Sequence, residues 1–230
     1  MKELKVLSLF SGIGAFEKAL TNQKIPYKLI NFCEFDKFAI ESYCSIHNVD
    51  KSLNLWNITK INKEVLPKNI DLLTHGSPYP DFSIVGRGEG GDKNSGTRSS
   101  LMWYSVDIIK YCNPKYVVWE NAPNVLSLKH KHNFDNYIKI LEEFGYKNYF
   151  SILKATDFGI PQSRKRIFCI SIRKDINKEF IFPKGFPLKF SLYDFLEKDA
   201  SEKYYLSSVY QERFQNSFFN NLKKSPTSKR

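Results

Sequence analysis

The residues of this chain best equipped for chemistry fall into four short stretches. Phe10-Ser11-Gly12-Ile13-Gly14 ends an apolar run in a tight glycine turn, and Glu34 closes the next apolar run. Gly76-Ser77-Pro78-Tyr79-Pro80 has the form of an active-site loop, and Glu120-Asn121 is followed downstream by Gln162-Ser163-Arg164-Lys165-Arg166. Glycines at 12 and 14 let the backbone turn sharply and approach a ligand closely. An acid at the end of the following strand can accept hydrogen bonds from ribose hydroxyls. Gly-x-Gly alone is a weak signal, because strand-to-helix turns use glycine without any cofactor. A glycine turn followed about twenty residues later by an acid is the spacing of a nucleoside-containing cofactor site. In the loop, Tyr79 stands between Pro78 and Pro80. A phenol of pKa about 10 is a feeble nucleophile.

The elements that must position these residues alternate. Short apolar runs predict strands over 4–9, 29–34, 70–75, 116–120, 150–155 and 166–172, the last two suited to antiparallel pairing. Helical spacing follows Gly14, with Phe16, Ala19 and Leu20 on one face, and recurs over 38–43, 101–111 and 134–144, where Gly145 supplies a C-terminal stop. Such alternation predicts an α/β fold of three layers, with helices on both faces of a mostly parallel central sheet. Ligands bind such a sheet beyond the carboxyl ends of its strands. Phe10–Gly14, Glu34, the loop from Gly76 and Glu120-Asn121 all fall there.

Composition bounds the reading. The 230 residues, 42% of them hydrophobic, suit one large domain with an ample core and a short appendage. The net charge of +11 fits a polyanionic partner, DNA or RNA, although a basic surplus also serves solubility. No apolar stretch approaches the ~20 residues that cross a bilayer. The N-terminus lacks the layout of a signal peptide. Cys33, Cys44, Cys112 and Cys169 are scattered, with no CxxC and no histidine at ligand spacing; they suit reduced thiols in the cytoplasm, and no metal site is expected. The organisation read from these features is a main domain over 1–175, the opening of a second region over 176–215, and a basic, frayed tail over 216–230.

Taken together, the motifs resemble those of the DNA (cytosine-5) methyltransferases over roughly residues 4–172. Phe10-Ser11-Gly12-Ile13-Gly14 looks like the first motif, which lines the S-adenosylmethionine pocket. Glu34 looks like the acid that holds the ribose, and Pro78 belongs to the Pro-Cys-Gln loop. Glu120-Asn121-Ala122 resembles Glu-Asn-Val, and Gln162-Ser-Arg164-Lys-Arg166 resembles Gln-x-Arg-x-Arg. The resemblance implies a Rossmann-like methyltransferase fold, S-adenosylmethionine as cofactor and double-stranded DNA as partner. In that chemistry a cysteine thiolate adds to carbon 6 of a flipped-out cytosine and makes carbon 5 electron-rich enough to take a methyl group. The glutamate at 120 would hold ring nitrogen N3 and the amino group, and Arg164 and Arg166 would grip the nucleotide. The glycine-rich stretch 86–98, with Arg87, Lys93 and Arg98, would close over DNA.

The chain departs from the pattern in three places. Tyr79-Pro80 replaces Cys-Gln. Trp56-Asn57-Ile58 stands where many relatives carry Gly-Asp-Ile; there Asn57 would offer its carbonyl oxygen to the adenine amino group. After Arg166 fewer residues follow than a target-recognition domain needs. The expected outcome is a chain inactive on its own. One alternative is the larger subunit of a split methyltransferase, completed by a second chain carrying the recognition domain. Another is a non-catalytic relative that binds DNA or S-adenosylmethionine. A third is an exocyclic amino-methyltransferase working through Ser77-Pro78-Tyr79-Pro80, ranked last because Tyr and Pro stand in the wrong order.

Overall fold

The structure is a computed structural model that describes residues 2–78, 92 and 96–224. Six strands form one sheet: β1 (Leu4–Leu9), β2 (Tyr27–Cys33), β3 (Leu72–His75), β4 (Tyr116–Asn121), β5 (Tyr146–Lys154) and β6 (Lys165–Arg173). Their order is β2-β1-β3-β4-β6-β5. β1 pairs in parallel with β2 and β3, and β3 with β4, whereas β6 runs antiparallel to both β4 and β5. The mostly parallel sheet and the antiparallel final pair are as the sequence predicts. Val6, Leu7 and Leu9 of β1 are fully buried, as befits a central strand covered on both faces.

Alternate residues of a strand point to opposite faces, and here they enter two separate cores. Cys33 joins a large cluster with Leu7, Leu9, Leu73, Trp119 and residues of α3 (Met102–Cys112) and α4 (Lys131–Glu143). Its neighbour Phe32 joins a small one with Ile40 and Tyr43 of α2 (Lys37–His47), where Phe32 and Tyr43 stack with ring centroids 4.2 Å apart. Helices therefore cover both faces. α1 (Ala15–Asn22) departs from its predicted pattern. Phe16 and Leu20 are half-buried, but Ala19 is exposed and Glu17, 1% exposed, is the most buried residue of the helix. Hydropathy could not place a carboxylate on an inward face. Gly145 takes φ +88° just after α4 and donates its N–H to the Glu142 carbonyl, the stop expected of it.

Residues 177–189 run back along the first unit. Glu179 bonds Lys147 Nζ (2.5 Å) and Tyr149 Oη (2.6 Å) of β5, and the Phe186 N–H donates to the Asp157 carbonyl. Contacts divide the chain at this point into Met1–Lys189 and Phe190–Arg230. Within the second unit, helix α5 spans Ser208–Lys224, so regular structure continues past 216, where a frayed tail was expected to begin.

Asp71 fixes the register from which the site is built. Its carboxylate accepts the Lys5 N–H of β1 (2.9 Å) and the Lys115 ammonium just before β4 (2.7 Å). Burial raises the acid's pKa, but the Lys115 and Lys5 hydrogen bonds outweigh burial and hold it below the usual range. A depressed pKa stabilises the fold above the unfolded value of about 3.9 and loses that stabilisation as pH falls through the folded one. Asp71→Asn is therefore expected to cost about 1–3 kcal/mol in urea unfolding at pH 7. The difference from the parent should shrink below about pH 4; an equal difference at both pH values would remove the ionic role.

Candidate active site

The crevice lies beyond the carboxyl ends of β1, β2 and β3, where the strand order reverses. After β1 the backbone makes three unusual turns, with φ +52° at Phe10, +56° at Gly12 and +84° at Gly14. Ser11 anchors the turn, its N–H and hydroxyl both donating to the Cys33 carbonyl at the end of β2 (3.1 and 3.3 Å). The Gly12 N–H donates to Glu34 Oε2 at 2.8 Å. Glu34 Oε1 accepts the N–H groups of Phe35 (2.7 Å) and Asp36 (2.9 Å). Three of its roughly four acceptor sites are thus filled by backbone amides, and the remaining capacity lies on Oε2. At Gly14 a side-chain carbon would collide with the His47 ring, which is packed on Tyr43.

Asn54 ties Glu34 to the next segment. Its Oδ1 accepts the N–H groups of Glu34 (3.1 Å) and Trp56 (3.0 Å), and its Nδ2 donates to the Glu34 carbonyl (3.1 Å). Asn57 borders the cleft and also caps a turn. Its Oδ1 accepts both the N–H (3.0 Å) and the hydroxyl (2.9 Å) of Thr59, capping the short turn Ile58–Lys60. The oxygen expected to meet an adenine amino group is thus engaged by Thr59.

The loop after β3 is pinned from beneath. Ser77 Oγ accepts from Trp119 Nε1 (3.1 Å) and Asn121 Nδ2 (3.3 Å), and the Ser77 carbonyl accepts from the same amide (3.3 Å). Asn121 is fully buried, so it positions the loop from below. His75, also fully buried, meets the Tyr137 hydroxyl at 3.0 Å, and burial pushes its pKa down to about 3, which keeps the ring neutral. Pro78 is half-buried at the rim. Tyr79, and Arg87 and Lys93 of the glycine-rich stretch, lie outside the described residues.

Glu120 and Arg166 come together, with Oε1 2.9 Å from the guanidinium Nε, and Arg164 stands at 3.8 Å; the resemblance assigns both arginines to the nucleotide and does not foresee the pairing. Burial raises the Glu120 pKa, and the two arginines oppose the rise. Gln162 is exposed in the loop before β6, with its backbone N–H bonded to Ile160 and its carbonyl to Arg164.

A cleft of about 490 Å³ joins these parts, lined by Phe10, Glu34, Asn57, Gly76 and Pro78 together with Cys33, Phe35, Trp56, Ile58, Thr59 and Leu101. The second group was not predicted to form the site. Phe35 and Trp56 had a signal, being bulky apolar residues beside expected ligands; Leu101 and Thr59 had none. Ser11, Gly12 and Gly14 shape the cleft from the adjoining turn.

A family model described as C-5 cytosine-specific DNA methylase matches residues 4–228. The chain belongs to this family. Similar curated proteins include the orphan methyltransferase M.Rho11sI of Bacillus phage rho11s, 37% identical over 236 positions that cover 90% of this chain and 46% of the relative. Another is the type II methyltransferase M2.ScrFI of Lactococcus lactis subsp. cremoris, 33% identical, covering 89% of this chain and 71% of the relative. The chain thus spans less than half the length of the phage relative. The Dnmt2 methyltransferase of S. pombe shares the fold, with a TM-score of 0.72 at 22% identity over 93% of this chain and 67% of that chain. The Rossmann-like α/β fold is that of this methyltransferase class, and the cofactor implied by the family is S-adenosylmethionine.

Gly14→Ala is expected to lower stability by about 1–3 kcal/mol in urea unfolding, because it adds a collision to an unfavourable φ. Gly12→Ala, where nothing lies within 4 Å of the added carbon, should carry only the backbone penalty. Equal losses for the two variants would show that the His47 contact is immaterial.

Proposed function

We propose that this chain binds S-adenosylmethionine in the cleft and a flipped-out cytosine of double-stranded DNA beside Glu120, and that on its own it does not complete methyl transfer to carbon 5. The observation that carries the reading is the position of Gly76. It lines the cofactor cleft, and a carbon added to it would lie 3.6 Å from Glu120 Oε2, so the two binding sites share a wall.

S-adenosylmethionine, when bound, supplies an electrophilic methyl group. The chain's residues do the rest. The open acceptor capacity of Glu34 Oε2 suits a ribose hydroxyl, with Gly12 fixing the carboxylate. The raised pKa of Glu120 suits a carboxyl that holds a proton against ring nitrogen N3 while accepting from the amino group. Arg166 keeps Glu120 in place from 2.9 Å, and the half-exposed Arg164 is free to turn toward a phosphate. The missing piece is a thiolate. Tyr79 occupies the position of the nucleophile in the motif. Burial pushes the thiols of Cys33 and Cys169 up to about 12 and that of Cys112 to about 11, so all three stay protonated and covered.

The test is transfer of labelled methyl from S-adenosylmethionine to duplex DNA. None is expected from the chain as it stands, whereas label at cytosine C5 would overturn the reading. Label as N4-methylcytosine or N6-methyladenine would instead establish the amino-methyltransferase alternative. Tyr79→Cys is expected to form a covalent complex with 5-fluorocytosine DNA in the presence of the cofactor, visible on a denaturing gel and absent from the parent. DNA binding should weaken about tenfold or more between 50 and 200 mM salt, as even two phosphate contacts require.

A further inference from the structure

Trp56 is the exposed member of the chain's three tryptophans, at 47% against 4% for Trp103 and 0% for Trp119. It holds φ +60°, a left-handed conformation that is an outlier for a bulky side chain. Such strain persists where the surroundings over-determine it, and it gathers at ligand clamps. The surroundings do so here. The Trp56 N–H is held by Asn54 Oδ1 at 3.0 Å, and its carbonyl accepts from Cys33 Sγ at 3.2 Å. Burial keeps that thiol protonated and able to donate. Because Asn54 Oδ1 also accepts the Glu34 N–H, one side-chain amide fixes the backbone at both Glu34 and Trp56. The Lys51 ammonium sits 5.3 Å from the ring centroid over one face, and the indole borders the same cleft as Phe35. Meanwhile the Asn57 oxygen accepts two hydrogen bonds from Thr59, so a nucleobase amino group that met it would have to compete for that oxygen.

We propose that Trp56 is a cofactor-binding residue whose indole stacks on the nucleobase of the cofactor, so that affinity at this end of the cleft comes from aromatic surface held by a strained backbone. The inference rests on the reading of the cleft as an S-adenosylmethionine site. Glycine at position 56 would relieve the backbone and remove the ring, which separates a binding role from a structural one.

The experiment is a titration of the full chain with S-adenosylmethionine, followed in parallel by tryptophan emission and by calorimetry. Emission should change saturably, with the calorimetric midpoint. Trp56→Phe should keep the binding heat and abolish the emission change. Trp56→Gly should unfold at the same or a higher temperature than the parent, yet bind the cofactor about five- to a hundredfold more weakly, the range for loss of one base–aromatic stack. Calorimetric binding without an emission change, or Trp56→Gly binding as tightly as the parent, overturns the proposal alone. No binding heat from the parent removes the cofactor reading and this inference with it.

Discussion

The Glu34 carboxylate is the constraint on which the site depends. Among the described residues no cationic side chain pairs with it; backbone amides from two separate turns donate to it, Gly12 after β1 and Phe35 and Asp36 before α2. Oriented amides can hold a carboxylate without neutralising it, and they fix its direction as well as its place. The same interaction joins β1's turn to β2's end, so a ligand that meets Glu34 meets a group already immobilised. Asp36, one link further on, caps α2 by accepting the Phe38 and Ala39 N–H groups, which carries the constraint into the helix.

Backbone strain is distributed to match. Phe10, Gly12, Gly14 and Trp56 all hold positive φ around the cleft. Elsewhere among the described non-glycine residues the left-handed region is visited by Lys24 and by Asn48, Asn113 and Asn177, and asparagine adopts it at little cost. An aromatic residue has no such ease. At Phe10 and Trp56 the fold sets local comfort aside for the shape of the cleft. The hydrogen bonds of Ser11 and Asn54 are what hold it there.

Much of this was legible in the sequence because it rests on periodicity and on motif order. The strands match their predicted ranges to within a few residues, since short apolar runs between glycine and polar turns admit few other structures; Glu34 and Glu120 sit at the carboxyl ends of parallel strands, and the antiparallel pairing of β6 with β4 brings Arg166 to Glu120. The failures were of another kind. Glu17 is buried although its charge argues for solvent. Asn54 organises one side of the cleft with a single amide that no spacing announces. The cap that the Asn57 oxygen forms with Thr59 is not legible from residue type, because the same side chain can serve a turn or a ligand. The bonds from the Asn121 amide to Ser77, which hold the loop from below, are likewise not signalled by spacing.

The most direct test of the account is the calorimetric affinity for S-adenosylmethionine of the parent chain against Glu34→Gln. The substitution keeps shape but removes the charge that draws the Gly12, Phe35 and Asp36 amides inward. A measurable affinity in the parent, weakened by about tenfold or more in the variant, is the predicted result, since hydrogen bonds to a charged group contribute about 1.5–3 kcal/mol. Equal affinity in the two proteins would show that the cleft is organised by something other than this carboxylate.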